Sequence, residues 1–258
     1  MSTPDANELH RVARSLSSDR LPGDWELVDS SSHTRVARNR TLELFYKEFR
    51  PRSPAESLKA LLRGSRAQRA RLNSEALSGV GINAPANIAW GRLGGGREYL
   101  FTAEVPGRGI DQWLRETLSG CSPELLARRR QLLEELGVFI GGMHATGFVH
   151  GDLRPGNVLA SLEDGRFHFS LIDNERTVRF STPPGRGLLR NLMQLNMLTP
   201  KELSLAARAR FFRAWRRQMH DLSRLECKIL GAEAYRWAMR RLDEKGFLTP
   251  GEAARAGL

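Results

Sequence analysis

His150-Gly151-Asp152-Leu153-Arg154-Pro155-Gly156-Asn157-Val158-Leu159 decides the reading of this chain, together with Leu171-Ile172-Asp173 a short hairpin later. A carboxylate, an amide five residues on and a second carboxylate beyond the hairpin form a layout suited to phosphoryl transfer. Asp152 would sit beside the attacking hydroxyl, orient it and accept its proton. Asn157 and Asp173 are hard oxygen ligands, which Mg²⁺ prefers when it also holds nucleotide phosphates. Each residue alone has an ordinary structural reading. Asp152 could be a turn or cap residue, Asn157 a turn residue after Pro155-Gly156, and Asp173 a strand-ending cap. Their joint spacing selects the functional reading.

The neighbours divide into two kinds. His150 reads as a structural ring that ties the loop to backbone rather than as a base. Arg154 is placed to reach a transferred phosphoryl group, with a plain surface arginine as the alternative. Glu175 either adds a carboxylate to the metal site or is a solvated residue next to Arg176.

Upstream, Lys47 lies late in a strand, where a cation can grip the α- and β-phosphates of a nucleotide. Glu75, on a later helix, is the carboxylate that would hold it; the competing partner of Glu75 is Arg71, one turn earlier. No G-x-G-x-x-G separates the first two strands. Asp29-Ser30-Ser31-Ser32-His33 stands there instead, and Ser31 and Ser32 are the candidates to present backbone N–H groups to phosphate. Backbone groups of Glu104 and Val105 are assigned by position to the adenine edge, between two lobes.

The chain organises around these residues in three parts. Residues 1–24 read as a polar extension, partly disordered or loosely helical, with no secretory signal. Residues 25–105 form a β-rich lobe, with strands over Trp25–Val28, Thr34–Arg38, Thr41–Phe49, Ile88–Trp90 and Glu98–Thr102. Asn39-Arg40 is read as a turn and Gly94-Gly95-Gly96 as a hairpin turn. Helices are predicted at Pro54–Leu62, capped by Ser53, and at Arg66–Leu77. Residues 106–258 are mainly helical. Pro123–Ala145 carries an apolar stripe, with Gly137 and Gly141 allowing a close backbone approach. A hairpin follows over Val158–Ala160 and Phe167–Ile172, then helices over 188–198, 203–222 and 232–245.

The 258 residues carry a net charge of +11 and only two cysteines. The charge favours acidic partners: phosphorylated substrates or an anionic membrane surface, with nucleic acid ranked last because it leaves the His150–Asn157 motif unexplained. Arginines cluster at 63/66/69/71, 128/129/130 and 208/210/213/216/217, the last interleaved with Phe211, Phe212 and Trp215. These arginines either meet phosphates and lipid heads or make a solvated helix face. Cys121 and Cys227 make neither a zinc spacing nor a disulfide framework, which fits a reducing cytosolic setting. No apolar run is long enough to cross a bilayer, so membrane contact is expected to be peripheral at most.

The spacing His-x-Asp-x-x-x-x-Asn with a later Asp is that of the protein-kinase fold and its relatives. From about Trp25 to Trp215 the chain resembles the bacterial lipopolysaccharide kinase family, which includes the core heptose kinases and the Kdo kinase. The likeness rests on Phe45-Tyr46-Lys47, on Ser74-Glu75-Ala76-Leu77 followed by Gly81-Ile82-Asn83-Ala84-Pro85, and on Thr102-Ala103-Glu104-Val105. Above all it rests on the run from Ile140 through Met143-His144-Ala145-Thr146-Gly147-Phe148-Val149-His150-Gly151-Asp152-Leu153, and on Leu171-Ile172-Asp173. Gly151 stands where protein kinases carry arginine. Asp173 is followed by Asn174-Glu175 rather than Phe-Gly.

The resemblance implies a two-lobed, kinase-like α+β fold with a small β-rich N-lobe and a mainly helical C-lobe. It also implies use of ATP and Mg²⁺ and action on a glycolipid sugar of the lipopolysaccharide inner core. By position it carries the catalytic Asp to Asp152, the nucleotide Lys to Lys47 and the metal ligands to Asn157 and Asp173. A phosphotransferase for a soluble alcohol and a catalytically inactive kinase-shaped binding module are the alternatives.

Overall fold

A computed structural model describes residues 4–18, 21–51 and 64–257. The helix expected over Pro54–Leu62 with its Ser53 cap, and Arg63 of the first arginine cluster, lie outside the described residues. The chain divides into two compact units, Met1–Val105 and Pro106–Leu258.

The first unit opens with helix α1 (Ala6–Ser17), capped by Asp5, whose Oδ1 accepts from the Glu8 amide at 2.8 Å. Leu9, Ala13 and Leu16 are buried and share one core with Trp25, Ala37, Leu44, Tyr46 and Phe101. Of the two expectations for residues 1–24, disorder or a loose helix, the helical one describes Ala6–Ser17, and the helix is packed into the core of the unit rather than loose. Positions 9, 13 and 16 fall on one face at helical spacing, and each fully buried leucine contributes roughly 1.5–3 kcal/mol.

Strands β1 (Trp25–Val28), β2 (Thr34–Asn39) and β3 (Leu44–Phe49), helix α2 (Arg66–Ser78), and strands β4 (Asn87–Arg92) and β5 (Glu98–Ala103) follow. The five strands form one antiparallel sheet in the order β1-β2-β3-β5-β4. β3 is shorter than its sequence pattern suggested. Residues 40–43 form the turn, the Asn39 Oδ1 accepts from the Leu42 amide at 2.9 Å, and Glu43 adopts a left-handed φ of 52°. β3 alternates as read, so that Tyr46 and Glu48 are fully buried while Lys47 points to the other face and is half-buried. The buried Glu48 carboxylate accepts from the Tyr46 hydroxyl (3.2 Å) and the Arg50 Nε (3.1 Å), as a buried charge requires. Burial, reinforced by Glu48, pushes the Tyr46 phenol pKa upward.

The second unit begins with a two-residue strand β6 (Arg108–Gly109) and a short helix α3 (Ile110–Gln112) that runs into a π-helical turn at Trp113–Thr117. Helix α4 (Pro123–Ala145) is followed by β7 (Phe148–Val149), the hairpin β8 (Val158–Glu163) and β9 (Arg166–Leu171), and β10 (Val178–Arg179). Helices α5 (Gly185–Leu195), α6 (Leu205–Gln218), α7 (Arg224–Glu244) and α8 (Pro250–Ala256) complete it. α7 starts eight residues earlier than its apolar pattern suggested, because Ser223 and Glu226 form a capping box at Arg224. α4 and α6 pack backbone to backbone through Gly137 and Gly141. A Cβ at Gly137 would lie 2.4 Å from the Phe211 carbonyl oxygen, and one at Gly141 would lie 2.7 Å from the Gln218 Cβ.

A few of the arginines turn inward. Arg208, read as part of a surface cluster, is buried. Its guanidinium donates to the Leu203 carbonyl at 3.1 Å, to the Asn196 carbonyl and side chain at 3.0 and 2.7 Å, and to the Leu198 carbonyl. Burial pushes its pKa down to about 10. Arg129 likewise donates to the Leu114, Leu118 and Glu202 carbonyls. These side chains satisfy loop carbonyls that no helix or strand completes, and arginine is suited to this because its planar fork carries five donors.

Replacing Leu16 by Ala is expected to destabilise the protein by about 2–4 kcal/mol, since it empties a fully buried site. Denaturant unfolding checks this; an unchanged midpoint would mean that α1 is not part of the core.

Candidate active site

The motif of the opening stretch folds into a loop between β7 and β8. Asp152, Asn157 and Asp173 lie on segments joined by short hydrogen bonds. The Asn157 Nδ2 donates to the Asp152 carbonyl at 2.8 Å, so the two ends of the loop are pinned together. The Ile172 amide donates to the Asn157 carbonyl at 3.0 Å, which continues the β8–β9 pairing of Val158 with Leu171 one step further and leaves Asp173 as the next residue beyond Ile172. With Nδ2 committed, Oδ1 is the atom of Asn157 left for a hard cation. Asp173 holds a left-handed backbone (φ 62°, ψ 46°), a conformation Asp tolerates better than most residues, and a single 3₁₀ turn follows at Asn174–Arg176. Glu175 is buried rather than solvated, with its Oε1 3.8 Å from the Arg176 Nε.

The Asp152 carboxylate is partly exposed and engaged on both oxygens. The Arg154 guanidinium donates to Oδ2 at 2.7 Å, and the Gln194 Nε2 donates to Oδ1 at 3.3 Å. Gly151 has a plain steric reason. A Cβ there would fall 2.2 Å from the Arg176 Cβ and 2.4 Å from its carbonyl oxygen, so the loop and the segment after Asp173 touch through bare backbone.

His150 is buried and acts as the structural ring that the sequence suggested. Its Nδ1 accepts from the Asp152 amide at 3.1 Å and its Nε2 donates to the Ile172 carbonyl at 3.0 Å. One neutral imidazole, protonated at Nε2, thus joins the segment of Asp152 to the segment of Asp173. Burial pushes its pKa down, against the opposing pull of the Ile172 carbonyl and the two aspartates.

Behind it stands a set of residues that the sequence reading missed. Asn191 of α5 donates from Nδ2 to the His150 carbonyl and accepts on Oδ1 from the His150 amide at 3.0 Å and the His144 Nε2 at 3.1 Å. The Trp215 Nε1 of α6 donates to the His144 Nδ1 at 2.9 Å. Gln194, one turn after Asn191, also accepts on Oε1 from the Leu153 amide at 3.0 Å. The available signal was a pair of amides three residues apart in a helix whose other buried positions, Leu188, Leu192 and Leu195, are apolar.

The nucleotide candidates lie in the first unit. The Glu75 carboxylate accepts from the Arg71 Nη1 at 3.0 Å and the Asn87 Nδ2 at 3.2 Å, so the one-turn pairing with Arg71 is formed. The Lys47 Nζ lies 5.2 Å from the centre of the Phe49 ring. In the turn between β1 and β2, the Ser31 hydroxyl meets the Thr34 hydroxyl at 2.9 Å and the Ser31 carbonyl accepts from the Thr34 amide at 2.9 Å; Ser32 is exposed beside them. The Glu104 amide is not available to a ligand, because it donates to the Glu43 carbonyl at 2.7 Å. The expectation for Glu104 thereby narrows to its carbonyl, and that for Val105 is unaffected. The Glu104 side chain is clasped by the Arg38 guanidinium, with Nε to Oε2 at 2.9 Å.

Among the described residues no three His, Cys, Asp or Glu side chains gather into a metal cage. A carboxylate with an amide oxygen is nonetheless the donor set that suits a Mg²⁺ held mainly by phosphates and water.

A sheet-containing unit followed by a helical unit that presents this loop defines a kinase-like α+β protein. A profile of the Lipopolysaccharide kinase (Kdo/WaaP) family matches residues 56–215, and the chain belongs to that family. It is a kinase. The fold is similar to that of a WaaP solved in complex with acyl carrier protein, with a TM-score of 0.61 and 18% identity over 95% of this chain and 99% of that one. It is also similar to a crystal structure of WbdD, with a TM-score of 0.52 and 16% identity over 82% of this chain and 50% of the other. A search of curated protein sequences finds no match.

His144 supplies a pH test of this support. Complete burial lowers its pKa from 6.5 to about 4, partly offset by its bond to Asn191. The folded state therefore binds fewer protons than the unfolded chain between those values. The stabilisation is complete above pH 6.5 and is lost as the pH falls toward 4, by about 3 kcal/mol in all. His144→Gln preserves a donor and an acceptor without titrating. Its unfolding free energy, followed by denaturant titration across this range, is expected to fall less steeply than that of the parent; equal slopes would contradict the assignment.

Proposed function

We propose that the chain transfers the γ-phosphoryl group of ATP to a sugar hydroxyl on a lipopolysaccharide inner-core precursor. The observation that carries this reading is the closed loop of Asp152, Asn157 and Asp173, tied by the Asn157–Asp152 and Ile172–Asn157 hydrogen bonds. Family membership supports a lipopolysaccharide sugar as the class of acceptor.

In this reading Asp152 receives the proton of the acceptor hydroxyl as its oxygen bonds to phosphorus and the bond to the β-phosphate oxygen breaks. Mg²⁺, when bound, neutralises the phosphate charge. Asn157 through Oδ1 and Asp173 through its carboxylate are the residues that would hold it. Arg154, now on Asp152, is within reach of the same region and can exchange its carboxylate partner for a phosphoryl oxygen. Lys47 would hold the donor phosphates without Glu75, which is paired with Arg71 and Asn87, and backbone N–H groups at Ser31 and Ser32 would cover them. For the adenine edge, the Val105 N–H and the Glu104 carbonyl remain once the Glu104 amide is assigned to Glu43.

The net charge of +11 suits an anionic acceptor even after the inward-turned arginines are set aside, since Arg213 and Arg217 of α6 stay exposed. No described helix is long and apolar enough to cross a membrane. A cytoplasmic protein that touches an anionic membrane surface peripherally, and binds no nucleic acid, fits this acceptor.

Incubation with labelled ATP, Mg²⁺ and core glycolipid tests the proposal. Label should appear in the glycolipid, and Asp152→Asn should lower kcat by about a hundred- to ten-thousand-fold. Transfer to soluble alcohols with none to glycolipid would redirect the reading to a small-molecule phosphotransferase. Parental rates in Asp152→Asn would remove the mechanism.

A further inference from the structure

The partners of Asp152 differ in one respect that bears on the reaction. Arg154 is 62% exposed and touches only the outer oxygen, Oδ2. Gln194 is half-buried on α5 and holds the loop at two points: its Oε1 accepts from the Leu153 amide at 3.0 Å and its Nε2 donates to the Asp152 Oδ1 at 3.3 Å. The first bond fixes which end of the amide faces which partner, so the donor end faces the carboxylate. α5 is itself fixed to the same loop one turn earlier by Asn191, through both the amide and the carbonyl of His150.

We propose that Gln194 is a positioning residue for phosphoryl transfer. It sets the rotamer of Asp152 by holding Oδ1, so that Oδ2 is the oxygen presented to the acceptor hydroxyl and Arg154 is the partner that gives way. The inference rests on the reading of Asp152 as the group that takes the acceptor proton, and it adds a residue to the machinery that no motif marks. A neutral donor suits the task. It orients the carboxylate without a fixed cation that would compete with the proton, whereas a misdirected carboxylate costs rate through lost alignment rather than lost binding.

Two substitutions separate this role from a packing role. Gln194→Glu keeps the acceptor for the Leu153 amide but turns a carboxylate toward Asp152. Gln194→Met keeps length and volume and removes both bonds. Both are expected to lower kcat by about 10- to 100-fold, with KM for nucleotide and for acceptor within about threefold of the parent. In the Asp152→Asn background, Gln194→Met should add little further loss, because a residue that acts through Asp152 has nothing left to position.

Parental kcat in well-folded variants, a loss confined to KM, a full independent loss in the Asp152→Asn background, or failure of both variants to fold would each overturn the assignment. A parental protein without transfer activity toward any acceptor would instead bring down the proposed function, and this inference with it.

Discussion

Everything at the candidate site hangs on one hydrogen-bonded line that starts in the helical core. The Trp215 indole donates to His144, His144 donates to Asn191, and Asn191 takes both backbone groups of His150. The His150 ring then bridges the Asp152 amide and the Ile172 carbonyl. Three helices thereby dictate the position of a loop that has little regular structure of its own. Each member is satisfied only if the next is in place, and an unpaired buried polar group here would cost about 1–3 kcal/mol, so the line is kept or lost as a unit. It also fixes proton positions. Both imidazoles must be neutral and carry hydrogen on Nε2, since Nδ1 of each faces a donor.

This arrangement explains features that look unrelated in the sequence. Gly151 is small because the backbone after Asp173 lies against it. Gly137 and Gly141 are small because α6 must come close enough for Trp215 to reach His144. The apolar stripe of α4 and the glycine-mediated contact with α6 thus serve the loop as well as the core.

The loop and its hairpin were legible because their chemistry is encoded at short range, in fixed spacings between a carboxylate, an amide and a second carboxylate. β3 was legible by its alternation, and α4 by its apolar period. What escaped was long-range. Asn191 and Gln194 have no spacing relation to Asp152; only the fold brings them forty residues back to it. α1 was legible as a loose helix but not as part of the core, because its many charged and polar residues conceal a narrow stripe at Leu9, Ala13 and Leu16. The arginine clusters misled in the opposite direction. Density of charge in sequence suggested a surface, whereas Arg208 and Arg129 are spent on loop carbonyls inside the second unit.

The most direct measurement is nitrogen-resolved NMR of the His150 ring at neutral pH, assigned by comparison with a His150→Gln variant. The account predicts a neutral imidazole with hydrogen on Nε2 and a bare Nδ1 accepting the Asp152 amide. A charged ring, or a proton on Nδ1, would mean that this histidine does not join the two segments, and the geometry argued for Asp152, Asn157 and Asp173 would fall with it.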